Sequence, residues 1–155
     1  MEILVTGGSG FVGRALGQGL RARGHQVTVL TRSAKAAQGL PEGVGFCLGD
    51  PGQPGPWQEE AARHQGFINL AGASIFGRWT EAYKRQIHDS RVRTTRHLVQ
   101  AIARRLADQP PAVLISASAV GYYGFHGDEV LDESAPAGED FLARVCRDWE
   151  AEAQA

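Results

Sequence analysis

A glycine-rich turn near the beginning of the chain constrains the fold more than any other feature of the sequence. The turn Gly7-Gly8-Ser9-Gly10-Phe11-Val12-Gly13 lies between an apolar run over residues 3–6 and a helix-like segment over residues 11–23. A strand, such a turn and a helix in this order are typical of a dinucleotide-phosphate site, because glycines allow a tight turn and close approach to phosphate. A tight turn without a ligand is the alternative. The predicted dinucleotide contacts of this turn are Gly7, Gly10, Phe11, Val12 and Gly13.

The rest of the chain alternates between apolar strand-like runs and helical stripes such as Val12, Leu16 and Leu20. We predict a long helix that begins after Thr80 and bends near Asp89, and we expect the last two strands to be buried. This alternation predicts an α/β fold with a doubly wound parallel sheet that is covered on both faces. The predicted strands are residues 3–6, 25–31, 43–48, a strand and turn over 67–72, and 112–116, and the other predicted helices are 11–23, 57–64 and 139–155.

Composition limits the class of protein and of partner. The chain has 155 residues, 43% of them apolar, and a net charge of −1, which fits one globular domain. A near-neutral chain lacks the basic character of nucleic-acid-binding domains, and no apolar run is long enough to cross a membrane. The two cysteines and five histidines show neither a disulfide framework nor metal-ligand spacing. We therefore expect a cytoplasmic protein without a metal site, a nucleic-acid partner or a membrane anchor.

Arg32 lies where a dinucleotide site distinguishes its two common cofactors. It follows Thr31 at the end of the second predicted strand, about 20 positions after Gly13, where NAD-binding sites commonly have an Asp or Glu. A carboxylate there accepts a hydrogen bond from the ribose 2′-hydroxyl, whereas a guanidinium pairs with a 2′-phosphate. The sequence therefore predicts NADP(H) rather than NAD(H), with Thr31 and Arg32 among its contacts. A solvated surface arginine is the alternative.

Short motifs spread over the whole chain resemble one protein family. Besides the glycine-rich turn they are Thr31-Arg32, Asn69-Leu70-Ala71-Gly72, Arg78-Trp79-Thr80, Ser90-Arg91, Ser116-Ala117-Ser118-Ala119-Val120-Gly121-Tyr122-Tyr123-Gly124 and Asp148-Trp149-Glu150. Together they resemble the extended short-chain dehydrogenases/reductases, in particular the atypical YfcH-like group of the NAD-dependent epimerase/dehydratase family. The resemblance implies a Rossmann-like NAD(P)-binding domain.

The resemblance also implies further cofactor contacts. It implies that Leu70 and Ala71 line the dinucleotide, and that Gln86 and Arg91 reach toward it from the long helix, with Arg91 as a second cation on the phosphate side. Asp50, after the third predicted strand, resembles the acid that meets the adenine amino group in extended members, although a turn or cap role is equally open. Many extended members dimerise through the corresponding long helix, which leaves a homodimer open beside a solvated basic face.

The catalytic residues of the resembled family are only partly present. Its typical members use a Tyr-x-x-x-Lys pair on a helix and a serine on the preceding strand, and the tyrosine transfers the proton. Ser118 matches the serine, but aligning the last helix on its Asp-Trp-Glu motif puts Leu142 and Cys146 at the other two positions. Tyr122 and Tyr123 follow the end of a strand and are alternative proton donors, against a packing role in an aromatic loop. This pattern differs from that of an ordinary dehydrogenase.

Three functional hypotheses follow. The first is an NADP(H)-dependent oxidoreductase or epimerase that acts on an unidentified small molecule and resembles nucleoside-diphosphate-sugar epimerases and reductases. The second is a non-catalytic NADP(H)-binding regulatory protein. The third is the nucleotide-binding portion of a longer protein, because family members are much longer and the last helix has no C-cap signal. We accordingly expect residues 1–155 to form the NAD(P)-binding domain without the substrate domain.

Overall fold

The computed structural model describes residues 1–155 and contains a five-stranded, wholly parallel sheet flanked by helices. The strand order is β3-β2-β1-β4-β5, so the chain crosses from one side of β1 to the other between β3 and β4. This order confirms the predicted doubly wound α/β fold. The strands are β1 Glu2–Thr6, β2 Gln26–Thr31, β3 Gly45–Leu48, β4 Gly66–Asn69 and β5 Val113–Ser116. The helices are α1 Phe11–Ala22, α2 Ala34–Ala37, α3 Trp57–Ala61, α4 Glu81–Ile102 and α5 Phe141–Gln154, with a 3-10 turn over Val120–Tyr123.

Alternation along the strands builds one apolar cluster on each face of the sheet. Leu4 and Phe67 point to the face that α3 and α4 cover, where Leu98 of α4 is fully buried. Ile3 and its neighbours point to the opposite face, which α1 covers. Leu16 of α1 packs there as the helical stripe predicts, but Val12, at the start of the same stripe, is 60% exposed.

Local sequence signals mark two helix ends as expected. α1 ends just before Gly24, whose φ of +81° is unfavourable for residues with a Cβ atom. The Thr80 hydroxyl accepts a hydrogen bond from the backbone N–H of Tyr83 at 3.2 Å and thereby caps α4. α4 continues through Asp89 and Ser90 without a break, although the sequence suggested a bend there.

The expectation that β5 is buried is wrong. β5 is an edge strand that pairs with β4 alone. Leu114 packs against the cluster under α4, but Val113 and Ile115 point to the opposite face and are 52% and 59% exposed. The sheet is therefore not covered on both faces at this edge. An apolar run shows that a segment can pair in a sheet, but it does not show whether a helix covers each of its faces.

The helices α4 and α5 lie side by side and are joined by polar contacts as well as by packing. Arg96 of α4 forms an ion pair with Glu152 of α5. The His88 ring forms hydrogen bonds with the carboxylates of Asp148 of α5, at 3.1 Å, and Asp89, at 3.0 Å.

None of the helices combines the length and the apolar composition needed to cross a membrane.

Candidate functional site

The glycine-rich turn after β1 is packed so tightly that three of its glycines have no room for a side chain. A Cβ atom on Gly7, whose φ is +69°, would lie 2.7 Å from the carbonyl carbon of Leu70. On Gly8 it would lie 2.5 Å from a methyl carbon of Val29, and on Gly13 2.5 Å from the Gly8 Cα. The turn therefore presses against β2, the end of β4 and the beginning of α1 at once.

The first turn of α1 offers backbone N–H groups without a competing side chain. Gly10 is the N-cap residue and provides no side-chain cap, and the first turn contains no acidic residue. Phe11 is 95% exposed beside this helix start. A helix amino terminus with free N–H groups binds anions, so this cradle fits the diphosphate of a dinucleotide.

The segment after β2 presents a cation at the neighbouring strand end. Thr31 is buried, and its hydroxyl contacts Ser33, whose own side chain caps α2 by accepting from the Lys35 backbone N–H at 3.2 Å. These contacts fix the backbone on both sides of Arg32. The Arg32 side chain itself is exposed and forms neither a hydrogen bond nor an ion pair within the protein. Its guanidinium is therefore free to bind an anion at this edge.

A buried polar network below the end of β4 was not recognised in the sequence. The Thr6 hydroxyl donates to the Asn69 side-chain oxygen at 2.6 Å, and the Asn69 amide donates to the hydroxyls of Thr95 at 2.7 Å and Ser116 at 3.2 Å. Thr6, Asn69 and Thr95 are completely buried. The network joins β1, β4, β5 and α4 through Asn69, the residue that precedes the half-buried Leu70 and Ala71. It therefore anchors the start of the loop whose Leu70 backbone lies against Gly7.

Two other predicted cofactor contacts lie apart from these groups. Asp50 is exposed, and its side chain accepts from the backbone N–H of Gly52 at 2.9 Å, which is the turn role that the sequence left open. Its contact with adenine stays a prediction. Gln86 is exposed on α4 and forms no hydrogen bond, so its contact with a cofactor also stays a prediction.

The loop after β5 faces α5 at the predicted catalytic positions. A Cβ atom on Gly121 would lie 3.4 Å from the Leu142 Cβ, and the Cys146 thiol lies 3.9 Å from the Ala119 carbonyl oxygen. Leu142 and Cys146 of α5 therefore both face this loop. Neither can act as the missing tyrosine or lysine.

Ser118 has a partner that the sequence analysis did not identify. Its hydroxyl donates a hydrogen bond to the carboxylate of Glu150, one helical turn beyond Cys146. Leu142, Cys146 and Glu150 recur at four-residue spacing, so they share one face of α5. That spacing is the signal through which sequence reasoning could have found Glu150.

The two tyrosines of this loop pack against each other. Their ring centroids are 5.3 Å apart with an interplanar angle of 83°, an edge-to-face contact. The Tyr122 carbonyl oxygen accepts from the Gly138 N–H at 2.9 Å. Both side chains are half-buried, and neither hydroxyl forms a hydrogen bond within the protein. The structure is thus compatible with the packing role, and a role for Tyr122 or Tyr123 in proton transfer stays a prediction.

Electrostatics disfavour the Cys146 thiol as a nucleophile. Burial raises its pKa, and the nearby carboxylate of Glu150 raises it further. The sulfur therefore stays protonated at neutral pH, and a protonated thiol is a poor nucleophile. The structure contains no group of three or more His, Cys, Asp and Glu side chains that could hold a metal ion.

Comparison with known proteins gives a consistent family match. Residues 3–144 match the NAD dependent epimerase/dehydratase family. The "Epimerase family protein SDR39U1 homolog, chloroplastic" of Arabidopsis thaliana is 42% identical over 153 residues, which are 97% of this chain and 43% of that protein.

Two solved structures are also similar. The human epimerase family protein SDR39U1 (isoform2), crystallised with NADPH, has a TM-score of 0.77 and 35% identity, covering 99% of this chain and 48% of that one. The nucleoside-diphosphate sugar epimerase from Corynebacterium glutamicum has a TM-score of 0.75 and 35% identity, covering 99% of this chain and 30% of that one. The present chain spans less than half the length of each of these three relatives.

Proposed function

Because the chain belongs to the NAD dependent epimerase/dehydratase family of extended short-chain dehydrogenases/reductases, we propose that it binds NADP(H) at the carboxyl edge of its sheet as part of an oxidoreductase or epimerase. The observation that carries this proposal is the turn after β1. Its glycines exclude side chains, and α1 begins there with free N–H groups. Such a turn at the switch point of a doubly wound sheet suits a dinucleotide diphosphate. The narrower YfcH-like grouping stays a prediction.

Two observations support the phosphorylated cofactor over NAD(H). Arg32 is exposed directly after β2 and has no acidic partner. It occupies the place where NAD-binding sites commonly have the carboxylate that binds the ribose hydroxyl. A guanidinium is suited to the doubly charged 2′-phosphate and gains little from a neutral hydroxyl. In addition, the human relative that is 35% identical to this chain was crystallised with NADPH.

The chemistry of each group at the site indicates the role that we propose for it. The bound nicotinamide would supply hydride transfer. The glycine-rich turn and the start of α1 would hold the diphosphate, and Arg32 the 2′-phosphate. Ser118, whose hydroxyl donates to Glu150 in this structure, would turn that one hydrogen toward the oxygen of a small-molecule substrate. We assign these roles to residues 1–155 as the NAD(P)-binding domain, whose relatives are more than twice as long.

Replacing Arg32 by alanine is expected to remove the preference for NADPH. The wild type should bind NADPH more tightly than NADH, and Arg32→Ala should weaken NADPH binding by about 10- to 100-fold while NADH binding stays nearly constant. Isothermal titration calorimetry with both cofactors measures the two affinities. Arg23→Ala, which removes an arginine at the carboxyl end of α1, is the matched control. Equal wild-type affinities for the two cofactors would contradict the assignment.

A non-catalytic NADP(H)-binding protein is the second candidate function. The observation in its favour is the pair Leu142 and Cys146, which face the Ser118 loop where the tyrosine and lysine of the resembled family would lie. A leucine has no proton to transfer, and the raised pKa of Cys146 keeps its thiol neutral. Cofactor binding would then control a partner instead of a reaction.

Turnover measurements separate the two candidates. If the protein is an enzyme, at least one compound in a panel of carbonyl substrates should support NADPH oxidation. Ser118→Ala should then lower kcat by about 100-fold, because it removes the donor proposed for the substrate oxygen. Tyr122→Phe and Tyr123→Phe test the two tyrosines in the same assay, and Ser134→Ala is a control. NADPH binding without any turnover would favour the regulatory candidate.

A further inference from the structure

Glu150 differs from the other acidic side chains of α5 in its partner. Asp148 and Glu152 both bond basic side chains of α4. Glu150 is half-buried and has no cation within ion-pair distance, and its carboxylate accepts a hydrogen bond from the Ser118 hydroxyl alone. Two carboxylates of α5 thus join it to α4, whereas the third is directed to the loop after β5 and is not paired with a positive charge.

Ser118 lies where the oxygen of a substrate can reach it. It is exposed two residues after the end of β5, at the carboxyl edge of the sheet, where doubly wound folds bind their ligands. Its hydroxyl has one hydrogen, which it donates to Glu150, and no group of the protein donates to its oxygen. That oxygen is therefore free to accept a hydrogen bond from the hydroxyl of a substrate.

The other ionisable groups around Glu150 do not contact Ser118. Burial and the charge of Glu150 raise the pKa of Cys146, so its thiol keeps its proton. Arg91 of α4 lies over the Trp149 ring, with its guanidinium carbon 5.5 Å from the ring centroid, and burial lowers its pKa. The remaining ionisable groups on this side of α5 are Asp140, whose carboxylate caps the helix, the exposed Arg147, Tyr122 and Tyr123. Glu150 is thus the only base in hydrogen-bond contact with Ser118.

We propose that Glu150 accepts the proton of a substrate hydroxyl through Ser118. This inference rests on the proposed function and adds to it the group at which the proton path ends. Leu142 and Cys146 cannot take the proton that the tyrosine takes in typical members of the resembled family. Glu150, one helical turn beyond Cys146 on the same face of α5, takes it instead.

The proton and the hydride leave the substrate in opposite directions. The substrate O–H proton moves to the Ser118 oxygen as the hydrogen of Ser118 moves to Glu150. The hydride on the adjacent carbon goes to the oxidised nicotinamide, which supplies this chemistry when it is bound. The products are a carbonyl compound, the reduced cofactor and a protonated Glu150, so atoms and charge balance. In the reverse direction the protonated Glu150 returns its proton, and the Ser118 hydrogen turns to the substrate oxygen.

The test separates a proton acceptor from a hydrogen-bond acceptor. Glu150→Gln keeps the size of the side chain and an oxygen that accepts from Ser118, but it takes up no proton. The variants are assayed by NADPH absorbance with NADP⁺ and UDP-glucose, UDP-galactose or cyclohexanol. We expect Glu150→Gln to lower kcat by about 100-fold and to remove the acid limb of the wild-type pH profile, where Glu150 becomes protonated. Asp148→Asn, which removes a carboxylate that faces α4, should keep the wild-type kcat and pH profile.

Two further comparisons examine the path through Ser118. The double variant Ser118→Ala/Glu150→Gln should lose no more kcat than Ser118→Ala alone, because both changes interrupt one path. In the free protein, without cofactor, Ser118→Ala and Glu150→Ala should be non-additive in melting temperature, because the two side chains contact each other. If melting curves show that Glu150→Gln is unfolded, Ser118→Ala becomes the test variant, and its pH profile should also lack the acid limb.

Several outcomes would overturn the inference. These are a wild-type kcat or a retained acid limb in folded Glu150→Gln, a retained acid limb in Ser118→Ala, and additive losses in kcat or melting temperature. A wild type that binds NADP⁺ but oxidises none of the three alcohols would overturn it together with the enzyme candidate, while cofactor binding stands. A wild type that does not bind NADP⁺ would overturn the proposed function as well.

Discussion

Gly13→Ala is expected to weaken NADPH binding by at least about 100-fold while the sheet stays folded. The added Cβ atom would lie 2.5 Å from the Gly8 Cα and 2.6 Å from the Gly7 carbonyl oxygen. Both are backbone atoms, so no side-chain rotation can relieve the clash. The turn must move away from α1, and the N–H groups that would hold the diphosphate then lose their common orientation.

A glycine on the same helix provides the matched control. A Cβ atom on Gly19 would have only the flexible end of Arg23 nearby, at 3.6 Å. Gly19→Ala should therefore leave NADPH affinity unchanged and stabilise α1 by up to about 1 kcal/mol, because alanine favours the helix. Calorimetry gives the affinities, and melting followed by circular dichroism shows whether each variant is folded. A folded Gly13→Ala that binds NADPH like the wild type would contradict the proposed diphosphate site.

The half of the site formed by residues 7–13 could be predicted because its geometry is encoded locally. Strand, turn and helix follow one another without a gap, and a Cβ atom on Gly13 would meet Gly7 and Gly8 of the same turn. The contacts that exclude a side chain at Gly7 and Gly8 come from Leu70 and Val29, which only the folded sheet brings there. Gly24 and Thr80 mark helix ends through equally local chemistry. The parallel direction of the strands could be predicted from the alternation of strands and helices, since parallel strands require crossover connections.

The other half of the site could not be predicted in the same way because it is assembled from distant segments. Arg91 meets Trp149, and Ser118 meets Glu150, only after α4 and α5 have packed beside β5. Periodicity shows which residues share a helix face, but it does not show which neighbour that face meets. The burial of β5 was mispredicted for a related reason, since its exposure depends on the absence of a covering element on the side of Val113.

These two halves differ in chemistry as well as in origin. The side of β1 and β2 offers backbone N–H groups and an exposed arginine, which suit phosphates. The side of β4 and β5 offers Arg91 beside the Trp149 ring, a serine that donates to a glutamate, and two tyrosines whose hydroxyls form no hydrogen bond within the protein. Asn69 is the residue that joins them, because its side chain bonds β1, β5 and α4 at once.

Asn69→Leu is therefore expected to lower the free energy of unfolding by about 3 kcal/mol. Leucine is similar in size but leaves the buried Thr6 hydroxyl without its acceptor and removes the hydrogen bonds to Thr95 and Ser116. At about 2 to 4 °C per kcal/mol for a domain of this size, the melting temperature should fall by about 6 to 12 °C. Urea denaturation followed by circular dichroism measures the free energy directly. Gln100→Leu, an exposed amide on α4, should change it by less than about 0.5 kcal/mol.

A double-mutant cycle with Thr6 tests whether this loss comes from the network. Thr6→Val alone leaves the Asn69 oxygen without its donor and should destabilise the protein. In the Asn69→Leu background the same change removes the orphaned hydroxyl, so it should cost little or recover stability. The two substitutions would then be non-additive by about 1 kcal/mol or more. Strict additivity, or a loss below about 1 kcal/mol for Asn69→Leu, would show that Asn69 fills space at this position and does not bind the strands together.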